Sequence, residues 1–181
     1  MSTVVAIQTD HGVVIAGDSH VTQAGTITST SANRVIEYDQ IGAGVVGQSG
    51  AVNSFERRFE SELKKYELEA SGELAIDAAS QIAVACAENT GIEAVVGGYD
   101  ENKIAQLRQI DDDESILPEQ QIALGSGAQL ALGQLGAVNN SQSIASAEET
   151  ARSILKTAAQ RDPSTGGEID IWSLANNTEN R

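Results

Sequence analysis

The chain has 181 residues, 11 basic against 26 acidic, for a formal charge of −15, with 40% hydrophobic and 3% aromatic residues. That is enough apolar material for one packed domain, which excludes a disordered chain, and no apolar run reaches the roughly 18–20 residues of a membrane span. Cations interleaved with carboxylates, as in Glu56-Arg57-Arg58-Phe59-Glu60, exclude a basic nucleic-acid surface. The single cysteine, Cys86, rules out an internal disulfide or a cysteine metal cluster and reads as a small buried thiol of a cytoplasmic protein. The first residues show neither a charged leader nor a cleavage site. Lysine is scarce, at Lys64, Lys65, Lys103 and Lys156; with the acidity this points to adaptation to concentrated salt, where mobile ions screen self-repulsion.

Residues 3–8 and 13–16 are β-branched runs separated by Thr9-Asp10-His11-Gly12, which predicts a hairpin at the very start. Residues 26–30 and 34–38 read as a second strand pair, and 41–46 as a fifth strand. Val52, Phe55, Phe59, Leu63 and Tyr66 then recur at spacings of three and four, one face of a long helix. Gly72 breaks that pattern, and an Ala-rich helix follows over 74–88 with Ile76, Ala79, Ile82, Ala83 and Cys86 inward. In the second half, 93–97 and 103–110 are strands joined by a turn, and Asp111-Asp112-Asp113-Glu114 is a solvated acidic loop. A short strand over 120–124 ends in Gly125-Ser126-Gly127, and a helix starts over 130–135. Ser146 is placed to cap a last helix carrying Ala147, Ala151, Ile154, Leu155 and Ala158. Strand 169–174 closes a single domain, 1–175, ahead of a polar tail, 176–181, expected to fray. This order makes an α+β layered protein.

Gly42-Ala43-Gly44-Val45-Val46-Gly47 matches G-x-G-x-x-G, which builds a dinucleotide site where it closes the first strand of a parallel βαβ unit. Here hairpin-like strands come before it and a second helix follows the first. A close-packed strand-to-helix turn is therefore the stronger reading and a nucleotide-binding protein the weaker. His11 and His20 lack a carboxylate at ligand spacing and read as surface turn histidines. Asp18 ends an apolar strand and gains meaning only with a basic partner, for which Arg34 is the candidate. Arg161-Asp162-Pro163-Ser164-Thr165-Gly166-Gly167 is a dense polar loop of the kind that can build a hydrogen-bonded site beside paired glycines.

Taken together, these segments resemble the proteasome family, its β-type subunits and the related bacterial HslV-type peptidases. The resemblance spans nearly the whole chain: an N-terminal strand that starts at once, His11-Gly-Val-Val-Ile-Ala-Gly-Asp18, Gly25-Thr-Ile, Arg34-Val-Ile, Ala43-Gly44, Ala123-Leu-Gly-Ser126-Gly127 and Arg161-Asp162-Pro-Ser-Thr165-Gly-Gly-Glu-Ile-Asp170. Without the N-terminal helical extension of α-type subunits, the chain looks β-like. The resemblance implies a four-layer αββα sandwich of the N-terminal-nucleophile hydrolases, polypeptide substrates, and no cofactor or metal. It also implies a ring of like or related subunits, with α-type subunits and an unfolding ATPase as further partners.

In that family the mature chain opens on a Thr whose hydroxyl attacks the peptide carbonyl and whose free α-amine acts as base. Counting back from Asp18, which matches the family's buried carboxylate, puts Ser2 at that place once Met1 is removed; an α-amine titrates near ~7.7–8.0, close to working pH. Arg34 falls where the family has a catalytic Lys, and Gly44 matches the glycine whose N–H helps to form the oxyanion hole. Ser126, Asp162 and Thr165 match the Ser, Asp and Ser that support the nucleophile and its amine. Two departures stand out. Ser for Thr loses the methyl that restrains the rotamer. Arg for Lys keeps the charge but cannot pass a proton, leaving it to pair with Asp18 and depress the nearby amine's pKa. No propeptide precedes Ser2 on this reading. An active endopeptidase is the first expectation, because Asp18, Ser126, Asp162 and Thr165 are all kept; a catalytically inactive ring subunit is the alternative.

Overall fold

Alternate side chains of the first two strands face two different cores, and this splits the molecule into layers. The computed structural model describes residues 2–70, 72–111 and 113–177. In chain order it contains β1 (Thr3–Thr9), β2 (Gly12–Asp18), β3 (Val21–Gln23), β4 (Thr26–Ser29), β5 (Val35–Tyr38) and β6 (Ile41–Val46), then α1 (Ser49–Glu69) and α2 (Ile76–Ala87). The second half contains β7 (Glu93–Tyr99), β8 (Ala105–Ile110), β9 (Ile116–Leu117), β10 (Gln121–Gly125), α3 (Ala128–Leu135), α4 (Ile144–Ala159) and β11 (Ile169–Ala175). One sheet has the order β10-β1-β2-β11 and the other β5-β6-β7-β8-β9, with β3 and β4 a separate hairpin. Every pairing is antiparallel.

Val4 and Ala6 of β1 and Val13 and Ile15 of β2 point at the second sheet, where they pack with its Val95 and Leu107 and alongside Ile122 and Trp172 of their own sheet. Val5, Ile7, Val14 and Ala16 point the other way, onto α3 and α4. Strands buried on both faces need apolar residues at nearly every position, and β1 and β2 have them. On the far side, α1 and α2 cover the second sheet with Phe55, Phe59, Leu63, Ile76, Ala79, Ala83 and Cys86. Helices, sheet, sheet, helices: this is a four-layer αββα sandwich. The sheets close tightly over the Trp172 ring because two facing positions are glycine; a Cβ at Gly42 or Gly97 would run into the indole.

Several expectations need correction. Residues 26–30 do not pair with 34–38. β4 pairs with the short β3, unforeseen in the sequence, while β5 pairs with β6. Ser143, not Ser146, caps α4: its hydroxyl accepts the Ser146 N–H at 3.2 Å, so Ser146 already lies in the first turn. The two-residue edge strand β9 was also unforeseen. The nucleotide reading fails on topology, since β6 is antiparallel to both neighbours and Gly42 and Gly44 face the inside of the sandwich. Of the polar tail, residues 178–181 lie outside the described residues, as does Asp112 of the acidic loop. Among the described residues no helix is long and apolar enough to cross a membrane.

Candidate active site

Topology brings distant segments to one edge of the first sheet. β1 runs antiparallel to both neighbours, with Thr3 opposite Gly125 and Val4 opposite Gly17, so its start meets the ends of β2 and β10. β11 starts at the same edge, with Ile169 opposite Asp18, and delivers the 161–167 loop there. Residue 2 sits at this junction. Its carbonyl accepts the Ser126 N–H at 3.2 Å, and its hydroxyl donates to the His20 carbonyl at 2.7 Å. Gly125 has a φ of +90°, and a Cβ there would overlap the Ser2 carbonyl, so this approach requires glycine.

Asp18 ends β2 beneath this junction. Its Oδ1 accepts the Thr3 N–H at 2.8 Å, and its Oδ2 accepts those of Gly166 at 2.7 Å and His20 at 3.4 Å. Burial pushes the carboxyl above the usual carboxylate range, against the pull of those three donors and of Arg34. Arg34 is 3% exposed. Burial lowers its guanidinium from the ordinary value and Asp18 opposes the shift. The two feel each other through space but are not joined: the ion pairs within 4.0 Å among the described residues do not include them, and Arg34 Nε has no hydrogen-bond partner. The expected Asp18–Arg34 pair is thus a neighbourhood of charge rather than a bonded pair.

The other flank is closed. Ser126 Oγ and Thr165 Oγ1 both donate to Asp162 Oδ2 at 2.6 Å, and the Ser164 N–H donates to Oδ1 at 3.0 Å. Burial pushes Asp162 up, but these three donors outweigh it and hold the carboxyl below the usual range. Thr165 Oγ1 also lies 2.6 Å from Thr3 Oγ1, which accepts the Gly127 N–H at 2.9 Å.

Ser2, Asp18, Ser126, Asp162 and Thr165 therefore form one connected cluster, with Arg34 beside it. Gly44 is not brought to it. The Val45 N–H donates to the Arg34 carbonyl at 2.9 Å, so the N–H of Gly44 faces the opposite neighbour, β7, where it sits opposite Val95 inside the ladder. The ladder ends at Val46 opposite Glu93. Gly47 follows immediately, and its N–H faces the same side as that of Val45, past the start of β5, with no backbone partner among the described residues. His20 also differs from expectation. Its ring is half-buried against Gly166 and Gly167, and Nδ1 is buried without a partner, whereas His11 stays on an exposed turn. The sequence reading further missed the Thr3 hydroxyl and the Gly127 N–H, although the Gly125-Ser126-Gly127 triplet was visible. Beyond His20, the hairpin residues Val21, Thr22 and Thr28 face Gln48, Ser49 and Gly50 at the start of α1 across an open cleft of about 630 Å³ without charged lining. Among the described residues no group of three or more His, Cys, Asp or Glu side chains could hold a metal.

An αββα sandwich whose first strand carries such a cluster at its start is the fold of the N-terminal-nucleophile hydrolases. Within that class the proteasome subunit model matches residues 1–174, and the chain belongs to the proteasome subunit family. It is similar to proteasome subunit beta 1 of Desulfurococcus amylolyticus, 32% identical with 97% of this chain and 90% of the relative covered. It is also similar to proteasome subunit beta of Haloferax volcanii, 29% identical over 94% of this chain and 72% of the relative. Proteasome subunit beta type-5 of Gallus gallus is 30% identical, with 96% of this chain and 70% of that protein covered.

Proposed function

We propose that the chain is a β-type ring subunit of a protein-degrading assembly and cleaves peptide bonds as an N-terminal-nucleophile endopeptidase, with Ser2 exposed by removal of Met1. One observation carries the reading: Asp18, Ser126, Asp162 and Thr165, far apart in the chain, meet in a single hydrogen-bonded cluster around residue 2. Once free, the α-amine takes the hydroxyl proton, Ser2 Oγ attacks the peptide carbonyl, and the proton passes to the departing amine. The acyl ester left on Ser2 is then cleaved by water, the amine again serving as base. Asp162, with Ser126 and Thr165, orients that amine. The positive charge of Arg34 disfavours its protonation, so that the base is available near neutral pH. Gly47 takes the oxyanion role first given to Gly44, since its N–H is free of the ladder. The uncharged cleft accepts the side chain next to the scissile bond. No step calls for a cofactor.

Like or related subunits, α-type subunits and an unfolding ATPase are the proposed partners, in a cytoplasm of high salt. With fifteen negative charges to spare per subunit, assembly is expected in molar KCl, where the Debye length is about 3 Å, and dissociation on dialysis to about 0.01 M salt, where it is about 30 Å. Light scattering across the series checks this, and a stable monomer at molar salt would count against the ring. A second reading, the silent ring subunit, has one observation behind it: the Arg34 position holds a cation that cannot relay a proton. Intact mass and one variant separate the two. An active subunit lacks Met1, and Ser2→Ala abolishes peptide hydrolysis with little change in melting temperature; unchanged turnover in Ser2→Ala would sink the peptidase reading.

A further inference from the structure

We infer, resting on the peptidase reading of Ser2, that Thr3 is a positioning residue for the amine of residue 2: its hydroxyl begins a one-way hydrogen-bond chain through Thr165 to Asp162. The direction follows from proton counting. An ionised carboxylate only accepts, and the single hydroxyl proton of Thr165 goes to Asp162 Oδ2 at 2.6 Å. The Thr165 oxygen then accepts from Thr3 at 2.6 Å. Thr3, its own proton committed, accepts the Gly127 N–H at 2.9 Å. Both threonines are buried, so a reversal would leave a buried donor without an acceptor. Gly127 makes the space for this chain: a Cβ there would lie 2.5 Å from Thr3 Oγ1 and 3.1 Å from Thr165 Oγ1.

A hydroxyl that accepts a hydrogen bond is a better donor, so Thr3 strengthens the Thr165 bond and disperses the charge of Asp162. Its backbone N–H meanwhile holds Asp18. The residue bonded to Ser2 is thereby tied to both carboxylates of the site, to one through the main chain and to the other through the side chain. The ionisable groups around residue 2 are Asp18 on β2, His20 after it, Arg34 before β5 and Asp162 before β11. Without the Thr3 hydroxyl, Asp162 keeps more of its charge, favours the ammonium form of the amine, and leaves less base at neutral pH.

Thr3→Val removes the hydroxyl with little change of shape, and Thr3→Ser keeps it. Both are made in the full chain with Met1 removed. Two quantities are read: kcat and KM on a fluorogenic peptide, and the pH dependence of α-amine acetylation by acetic anhydride, followed by the mass of the N-terminal peptide. Thr3→Val is expected to lower kcat about tenfold, the worth of one hydrogen bond in a buried network, with KM unchanged. It also moves the amine titration to higher pH, and Thr3→Ser restores both. An unmoved titration in Thr3→Val overturns the inference, whether or not kcat falls. If the wild-type chain hydrolyses nothing, the peptidase reading fails by itself and the titration still decides on Thr3: a shift in Thr3→Val absent from Thr3→Ser sustains its role. Should Thr3→Val not fold, Gly127→Ala breaks the same chain from the other side and is judged by the same titration.

Discussion

The two flanks of residue 2 are built on opposite plans. On the Asp162 side every group has its partner: two hydroxyls and a backbone N–H on one carboxylate, all within 3.0 Å. On the Arg34 side a guanidinium is sunk to 3% exposure with Nε unpaired and, among the described residues, no carboxylate within ion-pair distance. The carboxylates differ in the same sense, Asp162 held below its usual range and Asp18 pushed above it by burial. One flank is organised in advance by hydrogen bonds; the other holds charge in a poorly solvated place. In the resemblance read from the sequence, the first flank keeps Ser126 and Asp162 and has Thr165 in place of a Ser, and the second has Arg34 in place of a Lys.

Replacing Asp162 by Asn is the most direct way to break the ordered flank. On the proposed reading the amine loses its carboxylate, and kcat is expected to fall by about 10²–10⁴, the usual weight of a group that supports acid–base chemistry. The pH dependence of stability follows too. A carboxyl held below its ordinary range contributes stability that is present above that range and lost as pH falls through its folded-state value. Asp162→Asn should therefore flatten the acid limb of melting temperature against pH; an unchanged limb would show that the folded state does not hold this carboxyl. Asp18, with its value raised, runs the other way: its contribution is present below the ordinary range and lost as pH rises through the folded value.

The open flank is tested by two substitutions at one position. Arg34→Met puts an apolar chain of similar length into the buried space and should leave stability unchanged or improved, as exchanges of buried charges often do. A loss of about 3–5 kcal/mol in urea unfolding would instead mean a bonded pair with Asp18. Arg34→Lys supplies an amine that can pass a proton, and turnover should rise about tenfold if proton transfer limits the rate. No gain would mean that the α-amine handles every proton alone.

Smallest for chemistry is Gly44→Ala. The new Cβ would lie 2.5 Å from Val4 and 2.8 Å from Ile15, so stability should fall by about 1–3 kcal/mol from overpacking. Turnover per folded molecule stays the same, because the Gly44 N–H belongs to the sheet. A specific loss of kcat, with the melting curve intact, would return the oxyanion role to Gly44.

Strands, helices and most residues of the cluster were legible in the sequence because each leaves a local trace: unbroken apolar runs in β1 and β2, spacing of three and four in α1, polar residues beside glycines at 125–127 and 161–167. Strand partners leave none. Residues 26–30 and 34–38 are neighbours in sequence, yet one folds onto the poorly apolar β3 and the other onto β6. The difference between the motif's glycines has the same origin. Gly42, Gly44 and Gly47 look equivalent in a motif, but only the end of the ladder at Val46 separates an amide held in the sheet from one released by it. Ser143 and Ser146 differ likewise by a single turn of helix. The burial of His20 depends on Gly166 and Gly167, which arrive from the far end of the chain.

The paired glycines under Trp172 have a practical consequence. The chain contains one tryptophan, 5% exposed and lodged between the two sheets against Gly42 and Gly97. Its emission is therefore placed to report on the packing between the two sheets. Because Trp172 and Asp18 are carried on paired strands, β11 and β2, the same wavelength gauges how firmly the sandwich grips the strand that leads into the site. The molecule carries its own optical calliper.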